Sequence, residues 1–398
     1  MANILFFCNY QVAQPACGGI VRVTGTLADI FSSHGHKCHL CYYFDNGGKP
    51  VESFCDRLVL QQHHEESVIA TYLEEKKIDY LFLQTPLDNT NWYLLPMLRK
   101  LVDSMSGHCT LIHCYHSIPF AECKGFDWKY FKYMLKQNDA FMSKTKKLLW
   151  ASFCMVFPKL AVKKTSSRYN RICKYCDYMV LLSKRYIPFF INHVKCTEEQ
   201  IQGIPNPLTF SSTLSIDQIN AKTKTVIIVG RLDESTKRLS KAIRIWSIIE
   251  NKYQIKDWSL IIVGDGSDLE YYKRLADDYK THNITFAGRQ YPVEYYRKAS
   301  ILMSTSAIEG LPMVILEAKQ MGCVPVVFDS YDTASELIAD SYNGFVIKNN
   351  DYEDFAAKLH FLITHPEVRT EMIKHCLESN DDFLPETIYK EWEDIING

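Results

Sequence analysis

Two carboxylates and a turn stand out in the stretch Ser304–Gly322, STSAIEGLPMVILEAKQMG. Gly310, Leu311 and Pro312 form a turn after Glu309, and an apolar run opening at Met313 reads as the start of a helix. Pro312 suits the first helical position, where a missing N–H costs nothing and φ is already helical. A helix starting there leaves several N–H groups unpaired and carries partial positive charge, which is a cradle for phosphate. Met313 and Glu317 are four apart and share a face, so the second carboxylate sits one turn from the anion site, where it can accept from sugar hydroxyls. Glu309 stands on the other side of whatever the turn holds. Taken alone, the stretch reads equally well as an ordinary strand, turn and helix with two solvated glutamates. Two cations, Arg231 and Lys237, follow the apolar run TVIIV at Gly230, where they are placed to neutralise a diphosphate. His116 follows another such run, Thr110–Tyr115, at the edge where ligands bind in open α/β sheets, although a lone histidine there is more often structural.

The elements that must position these residues alternate. Asn3–Cys8 is an apolar run of strand length. Gly18 and Gly19 then open a segment whose Val23, Leu27, Ile30 and Phe31 recur at helical spacing. A second strand near Lys37–Tyr43 completes a βαβ start, and glycines at such a turn let the backbone approach a ligand. No GxGxxG follows the first strand, so a dinucleotide reading is weak. Short runs at Tyr80–Leu83 and Tyr178–Leu182 continue the pattern, and a proline-rich crossover, Gly203–Leu208, ends the first domain near Pro207. From Thr225 it repeats: a helix with Leu239, Ala242, Ile243, Trp246 and Ile249 on one face, a strand at Trp258–Val263, the turn Gly264-Asp265-Gly266, a strand at Ile284–Ala287 leading into Gly288 and Arg289, then Ile301–Ser304 and Val324–Phe328.

At 398 residues the chain exceeds the size at which one core stops growing, so two domains are expected. With 47% hydrophobic and 23% charged residues it is globular, and a net charge of -1 argues against a general nucleic-acid binder. No basic-then-apolar leader precedes the first strand and no apolar run reaches 18 residues, which predicts a cytosolic protein that is not integral to a membrane. Fourteen cysteines then read as reduced, buried thiols. The pairs Cys38/Cys41 and Cys173/Cys176 lie far apart on elements of different type, so no metal site is expected from them.

Composition shifts sharply in an insert, residues 124–174. Thirteen Lys and Arg face only Asp127 and Asp139, for a net charge of +11, around the apolar run Leu148–Pro158. That run is too short to span a bilayer, but basic flanks and aromatics suit a helix lying on an anionic membrane surface. A helical pair packed on its own domain, with lysines in water, is the plainer alternative.

In this order and spacing the residues resemble a family-4 glycosyltransferase with the E-x7-E motif, over nearly the whole chain. The carriers are Gly18, Gly19 and Arg22, His116, Ile204-Pro205-Asn206, Gly230 and Arg231 with Lys237, Gly264-Asp265-Gly266, Gly288, Glu309 and Glu317 with Gly310 and Pro312, and Glu336. The resemblance implies the α/β GT-B architecture, two doubly wound Rossmann-like domains facing each other across a cleft. Residues 1–207 would form the acceptor-side domain, with the insert 124–174. Residues 208–384 would form the donor domain, and residues 385–398 a helix packing back on the first domain. It further implies a retaining transferase without metal or cofactor, using a UDP- or GDP-linked sugar as co-substrate and a glycan or lipid-linked hydroxyl as acceptor. Arg231 and Lys237 would bind the diphosphate, and Gly310, Leu311, Pro312 and Met313 the sugar and phosphate through their backbone. Glu309 would contact the transferred sugar, Glu317 the ribose, Gly288 and Arg289 the base, His116 a sugar hydroxyl, and Gly18 and Gly19 the phosphates or acceptor. Cell-surface polysaccharide synthesis at the inner membrane face is the leading expectation. An enzyme of the same fold acting on a small soluble metabolite, or a non-catalytic scaffold subunit, stays open. The Pro15-Ala16-Cys17 lead-in to Gly18 departs from a longer glycine-rich run, which leaves the acceptor side open.

Overall fold

A computed structural model describes residues 1–14, 18–45, 47–61, 65–84, 93–126, 128–136 and 141–396. Pro15–Cys17, Asp127 and Asp139 therefore lie outside the described residues, as do the side chains of Lys129, Lys132 and Lys136. The chain divides into two compact units: Met1–Glu122, Pro158–Thr209 and Phe383–Gly398 form the first, Cys123–Phe157 and Phe210–Asp382 the second.

The first unit holds β1 (Asn3–Tyr10), β2 (Ala13–Gln14), β3 (Lys37–Phe44), β4 (Lys49–Pro50), β5 (Phe54–Val59), β6 (Tyr80–Leu83), β7 (Thr110–Tyr115), β8 (Tyr178–Leu181) and β9 (Ile201–Gly203). Seven of these make one sheet in the order β5-β3-β1-β6-β7-β8-β9, every pairing parallel. Parallel strands covered by helices on both faces are apolar throughout, which is why NILFFC and YLFL read so plainly as strands. The sequence missed β5, because Asp56 and Arg57 break its apolar run at a sheet edge. The C-terminal helix Pro385–Ile396 belongs to this unit. Tyr389 stacks on His34 at 3.5 Å between ring centroids, its hydroxyl pairs with His36 Nε2 at 3.0 Å, and Trp392 packs on Phe82.

The second unit holds β10 (Thr225–Val229), β11 (Ser259–Val263), β12 (Ile284–Gly288), β13 (Ile301–Ser304), β14 (Val324–Asp329) and β15 (Phe345–Lys348) in the order β12-β11-β10-β13-β14-β15, all parallel. Its core is built on the fully buried Trp246, Ile301, Phe328 and Phe355. The order reverses between β10 and β13, and in doubly wound sheets the crevice at that switch point is where ligands bind. Both units are thus Rossmann-like α/β layers, as the alternation of strands and helices predicted.

The basic insert is divided, a correction to its reading as one segment of the first domain. Residues 123–157 group with the second unit, whereas the helix Pro158–Tyr175 groups with the first. Pro158 explains the break, since proline tolerates only the first turn of a new helix. Pro158–Tyr175 is an ordinary packed helix: Tyr169 is fully buried, its hydroxyl 2.8 Å from that of Tyr115, and Arg168 pairs with Glu122 at 2.7 Å. Among the described residues no helix is long and apolar enough to cross a membrane.

Candidate active site

The chain leaves β10 at Gly230, directly at the switch point. Three strand-end loops are laced together there. Gly230 N–H donates to the Val263 carbonyl at 3.0 Å, Leu232 N–H to Asp265 at 2.9 Å, and Gly264 N–H to Gly288 at 2.8 Å. The approach is so close that a Cβ on Gly264 would lie 1.8 Å from the Gly230 carbonyl oxygen, and one on Gly266 would lie 2.3 Å from that of Leu232. Glycine at these two positions is required by contact with backbone that cannot yield.

Beyond Gly230 the loop is organised by Asp233, which the sequence reading did not single out. Its carboxylate accepts from Ser235 N–H at 2.8 Å, Ser235 Oγ at 2.6 Å and Thr236 Oγ1 at 3.1 Å, and its carbonyl accepts from Lys237 N–H at 2.8 Å. The signal was present as D-x-S-T, in which an aspartate bonds backbone two residues on. Glu234 then seats the next helix, accepting from Ser240 N–H at 3.2 Å and from the Tyr272 hydroxyl at 3.0 Å. Thr305 clips this loop to β13, its hydroxyl donating to the carbonyls of Lys237 at 3.2 Å and Arg238 at 3.1 Å. The outcome is a close ion pair: Lys237 Nζ lies 2.5 Å from Glu309 Oε1, with the side chains only 20% and 14% exposed. Arg231 does not share in it. Its side chain is 71% exposed and meets Asp233 at 3.4 Å.

On the other side of the recess the chain turns through Gly310, whose carbonyl accepts from Thr333 Oγ1 at 3.1 Å, into the helix Met313–Gln320. Pro312 is the cap residue, extended at ψ 92, and not the first helical residue as predicted. Its carbonyl accepts from Ile315 N–H at 2.9 Å, so the N–H groups of Met313 and Val314 head the helix with no acceptor within it. Gly230, Lys237, Ser304, Thr305, Ser306 and Val314 line a recess of about 10 Å³, roughly the room of one water. A cation, a carboxylate and a helix N-terminus therefore converge within one unit, an arrangement that holds an anion and tunes its charge.

Glu317 is placed differently from expectation. The helix Met313–Gln320 is buried nearly all round, and Glu317 is 0% exposed, accepting from the Tyr296 hydroxyl at 3.2 Å. The four-residue spacing correctly put it on the face of Met313, but that face points inward. Gly288 adopts φ 70 and Arg289 beside it is exposed, while Glu336 lies half-buried on the short helix Ala334–Leu337.

The remaining candidates lie in the first unit. Gly18, at φ 108, and Gly19 are exposed at the head of the helix Gly19–Ser33. His116 follows β7, with Nε2 bonded to Gln84 Oε1. Among the described residues His116 Nδ1 and Gln84 Nε2 have no partner. Burial pushes the His116 ring down to about 4 and that of His113, three residues earlier within β7, to about 3. Both rings are therefore neutral at physiological pH, and His116 offers a hydrogen bond and not a charge. The unfolded chain takes up protons near the ordinary value of 6.5 and the folded chain does not, so acid favours unfolding. Stability is expected to fall as pH drops below 6.5, by about 1.4 kcal/mol per pH unit for each ring, until their folded values are reached. His113 is 1% exposed, and neither of its ring nitrogens has a hydrogen-bond partner among the described residues. His113→Leu should remove its share of this acid sensitivity, read from urea midpoints at pH 7 and pH 5.

Two Rossmann-like units of this kind define the GT-B fold, and comparison with solved structures agrees. S. aureus TarM, solved in complex with UDP, superposes with a TM-score of 0.72 at 12% identity, covering 100% of both chains. Residues 213–376, which carry the site, match the family model of glycosyl transferases group 1. The amylovoran biosynthesis glycosyltransferase AmsD of Erwinia amylovora is 31% identical over 183 residues, 46% of this chain and 50% of that protein. An alpha-1,4-N-acetyl-D-galactosaminyltransferase of Campylobacter jejuni, named for a diNAcBac-PP-undecaprenol glycan, is 27% identical over 229 residues, 56% of this chain and 60% of that protein. The chain thus spans about half to three-fifths of the length of these two relatives, which are glycosyltransferases of polysaccharide and lipid-linked glycan synthesis.

Proposed function

We propose that the chain is a retaining glycosyltransferase that moves a sugar from a UDP- or GDP-linked donor to a hydroxyl of a glycan or lipid-linked acceptor, in cell-surface polysaccharide synthesis. The observation that carries this reading is the Lys237–Glu309 pair, held at the switch point beside the N-terminus of the Met313–Gln320 helix. Glycosyl transfer builds oxocarbenium character on the sugar and negative charge on the departing diphosphate. Lys237, the exposed Arg231 and the N–H groups of Met313 and Val314 are groups of this unit that can meet that charge. Supplied by side chains, it needs no divalent ion. Lys237 turning to the diphosphate releases Glu309 toward the transferred sugar. The acceptor hydroxyl attacks from the face the diphosphate leaves and passes its proton to the departing phosphate oxygen, a course that requires no enzyme nucleophile. A UDP donor is supported by the UDP bound in the TarM structure, and a lipid-linked acceptor by the undecaprenol-linked glycan for which the C. jejuni relative is named.

The test is a panel of UDP- and GDP-sugars scored for thermal stabilisation and slow hydrolysis. At least one is expected to raise the melting temperature, and the released or transferred sugar should keep its anomeric configuration by NMR. Indifference to every nucleotide sugar contradicts the donor site, and inversion contradicts the retaining course.

The same reading places the protein peripherally at the inner membrane face. On the helix Phe141–Val156, Met142, Leu149 and Val156 recur every seventh residue and are 68%, 66% and 65% exposed. Lys144, Lys146 and Lys147 accompany them and no acidic residue does. An apolar stripe with only positive charge beside it fits an anionic lipid surface. Sedimentation with anionic vesicles should pull the protein down, weaken in high salt and weaken again in Leu149→Asp. Equal sedimentation with neutral vesicles would count against this placement.

A further inference from the structure

Residues 123–126 and 128–136 touch the loops that carry Lys237 and Glu309. The Tyr133 hydroxyl donates to Asp268 Oδ1 and Oδ2 at 3.0 and 2.8 Å, and Asp268 in turn accepts from Glu234 N–H at 2.9 Å. Asp268 is 3% exposed, so this chain of bonds is sheltered from water and ties the insert to the loops after β10 and β11. Arg238, next to Lys237, is 4% exposed and holds a left-handed backbone at φ 50, and its Nη2 donates to the Gly125 carbonyl. A left-handed backbone in a buried arginine is costly and persists only where the surroundings fix it. Gly125 has φ 78 and packs so closely on Ile308, the neighbour of Glu309, that a Cβ would lie 2.6 Å from Ile308 Cδ1. Lys124 stands 4.0 Å from Asp332.

We infer that residues 123–126 and 128–136 form a strap that sets the geometry of the loops carrying Lys237 and Glu309, with Tyr133 and Arg238 as positioning residues acting through Asp268 and Gly125. This inference rests on the donor reading above. The strap meets the two loops whose ends carry Lys237 and Glu309, so seating it and forming that pair are one event. A nucleotide diphosphate that orders the loops must then order the strap, and loosening the strap must weaken the nucleotide by the same factor.

Two measurements on the whole chain test it. In hydrogen exchange, saturating UDP or GDP should slow the amides of residues 123–126 and 128–136 together with those of residues 230–238. In kinetics, Tyr133→Phe, which removes one hydroxyl and keeps the ring, should raise KM for the donor by about fivefold while kcat changes little. Gly125→Val should have the larger effect in the same direction, because its side chain must displace Ile308. Slowed exchange at 230–238 with an unchanged strap overturns the inference and leaves the donor site standing, as does an unaltered KM in both variants. No protection at 230–238 with any nucleotide overturns the donor reading and this inference together. Should either variant melt well below the wild type, exchange in the unmodified chain decides alone.

Discussion

Lys237→Ala is expected to lower kcat/KM for the donor sugar by about 10²–10³, the loss seen when one preorganised charge donor is removed from a developing anion. The effect is electrostatic. Lys237 Nζ sits 2.5 Å from Glu309 Oε1 with little exposure, so both charges act at low local dielectric, where each is worth far more than in water. The fall should lie mainly in kcat, since the diphosphate gains charge as the bond to the sugar breaks, and a group that meets that gain acts most strongly in the transition state. Removing the lysine also leaves Glu309 as a partly buried carboxylate without its partner, so a loss of stability should accompany the loss of turnover. Glu309→Gln separates the two effects. It keeps the size and a hydrogen-bond acceptor, should leave nucleotide binding within about threefold of wild type, and should still depress turnover. Lys237→Arg is not expected to restore activity, because a planar guanidinium cannot occupy a recess that holds roughly one water. Steady-state kinetics with the preferred nucleotide sugar, set beside melting curves of the same variants, checks each part.

Gly264→Ala is expected to be the most damaging single methyl in the second unit. Its Cβ would lie 1.8 Å from the Gly230 carbonyl oxygen and 2.9 Å from the carbonyl carbon, contacts that only a backbone shift can relieve. The φ of 151 adds strain for any residue with a side chain. Together these should destabilise by about 3 kcal/mol or more, within the range that marks a named steric mechanism. Because the displaced carbonyl belongs to the residue before Arg231, nucleotide binding should fall as well. Gly288→Ala is the control on an adjacent strand. It too has a positive φ, at 70, but its Cβ would meet nothing within 4 Å, so its cost should be limited to backbone strain of about 1 kcal/mol. Urea midpoints should therefore separate the two variants widely. Equal midpoints would show that the strand-end loops yield more easily than their lacing implies.

Much of this was legible in the residues. Parallel strands buried on both faces write themselves as apolar runs, so β1, β6, β10 and β13 were readable to within two residues at each end. The edge strand Phe54–Val59 was not, because partial exposure lets Asp56 and Arg57 interrupt its pattern. Spacing placed Glu317 on the same helix face as Met313, but spacing has no sense of which way a face points, and the inward packing of the whole Met313–Gln320 helix decided that. Asp233 was passed over because its work is done on neighbouring backbone within four residues, a local signature weaker than a pair of glutamates. The division of the insert was out of reach for a different reason. Its excess of lysine drew the whole run into one surface, whereas Tyr133, Gly125 and Tyr169, the residues that fix which unit each half joins, carry no charge at all.

A crystal structure of the chain with UDP shows most directly where a nucleotide diphosphate sits. The diphosphate should lie within hydrogen-bond distance of Lys237 Nζ and of the N–H groups of Met313 and Val314, with Arg231 drawn in from solvent and the Lys237–Glu309 pair opened or shared. A nucleotide bound away from β10 and β13, with that pair unchanged and Arg231 still in water, would contradict this donor site.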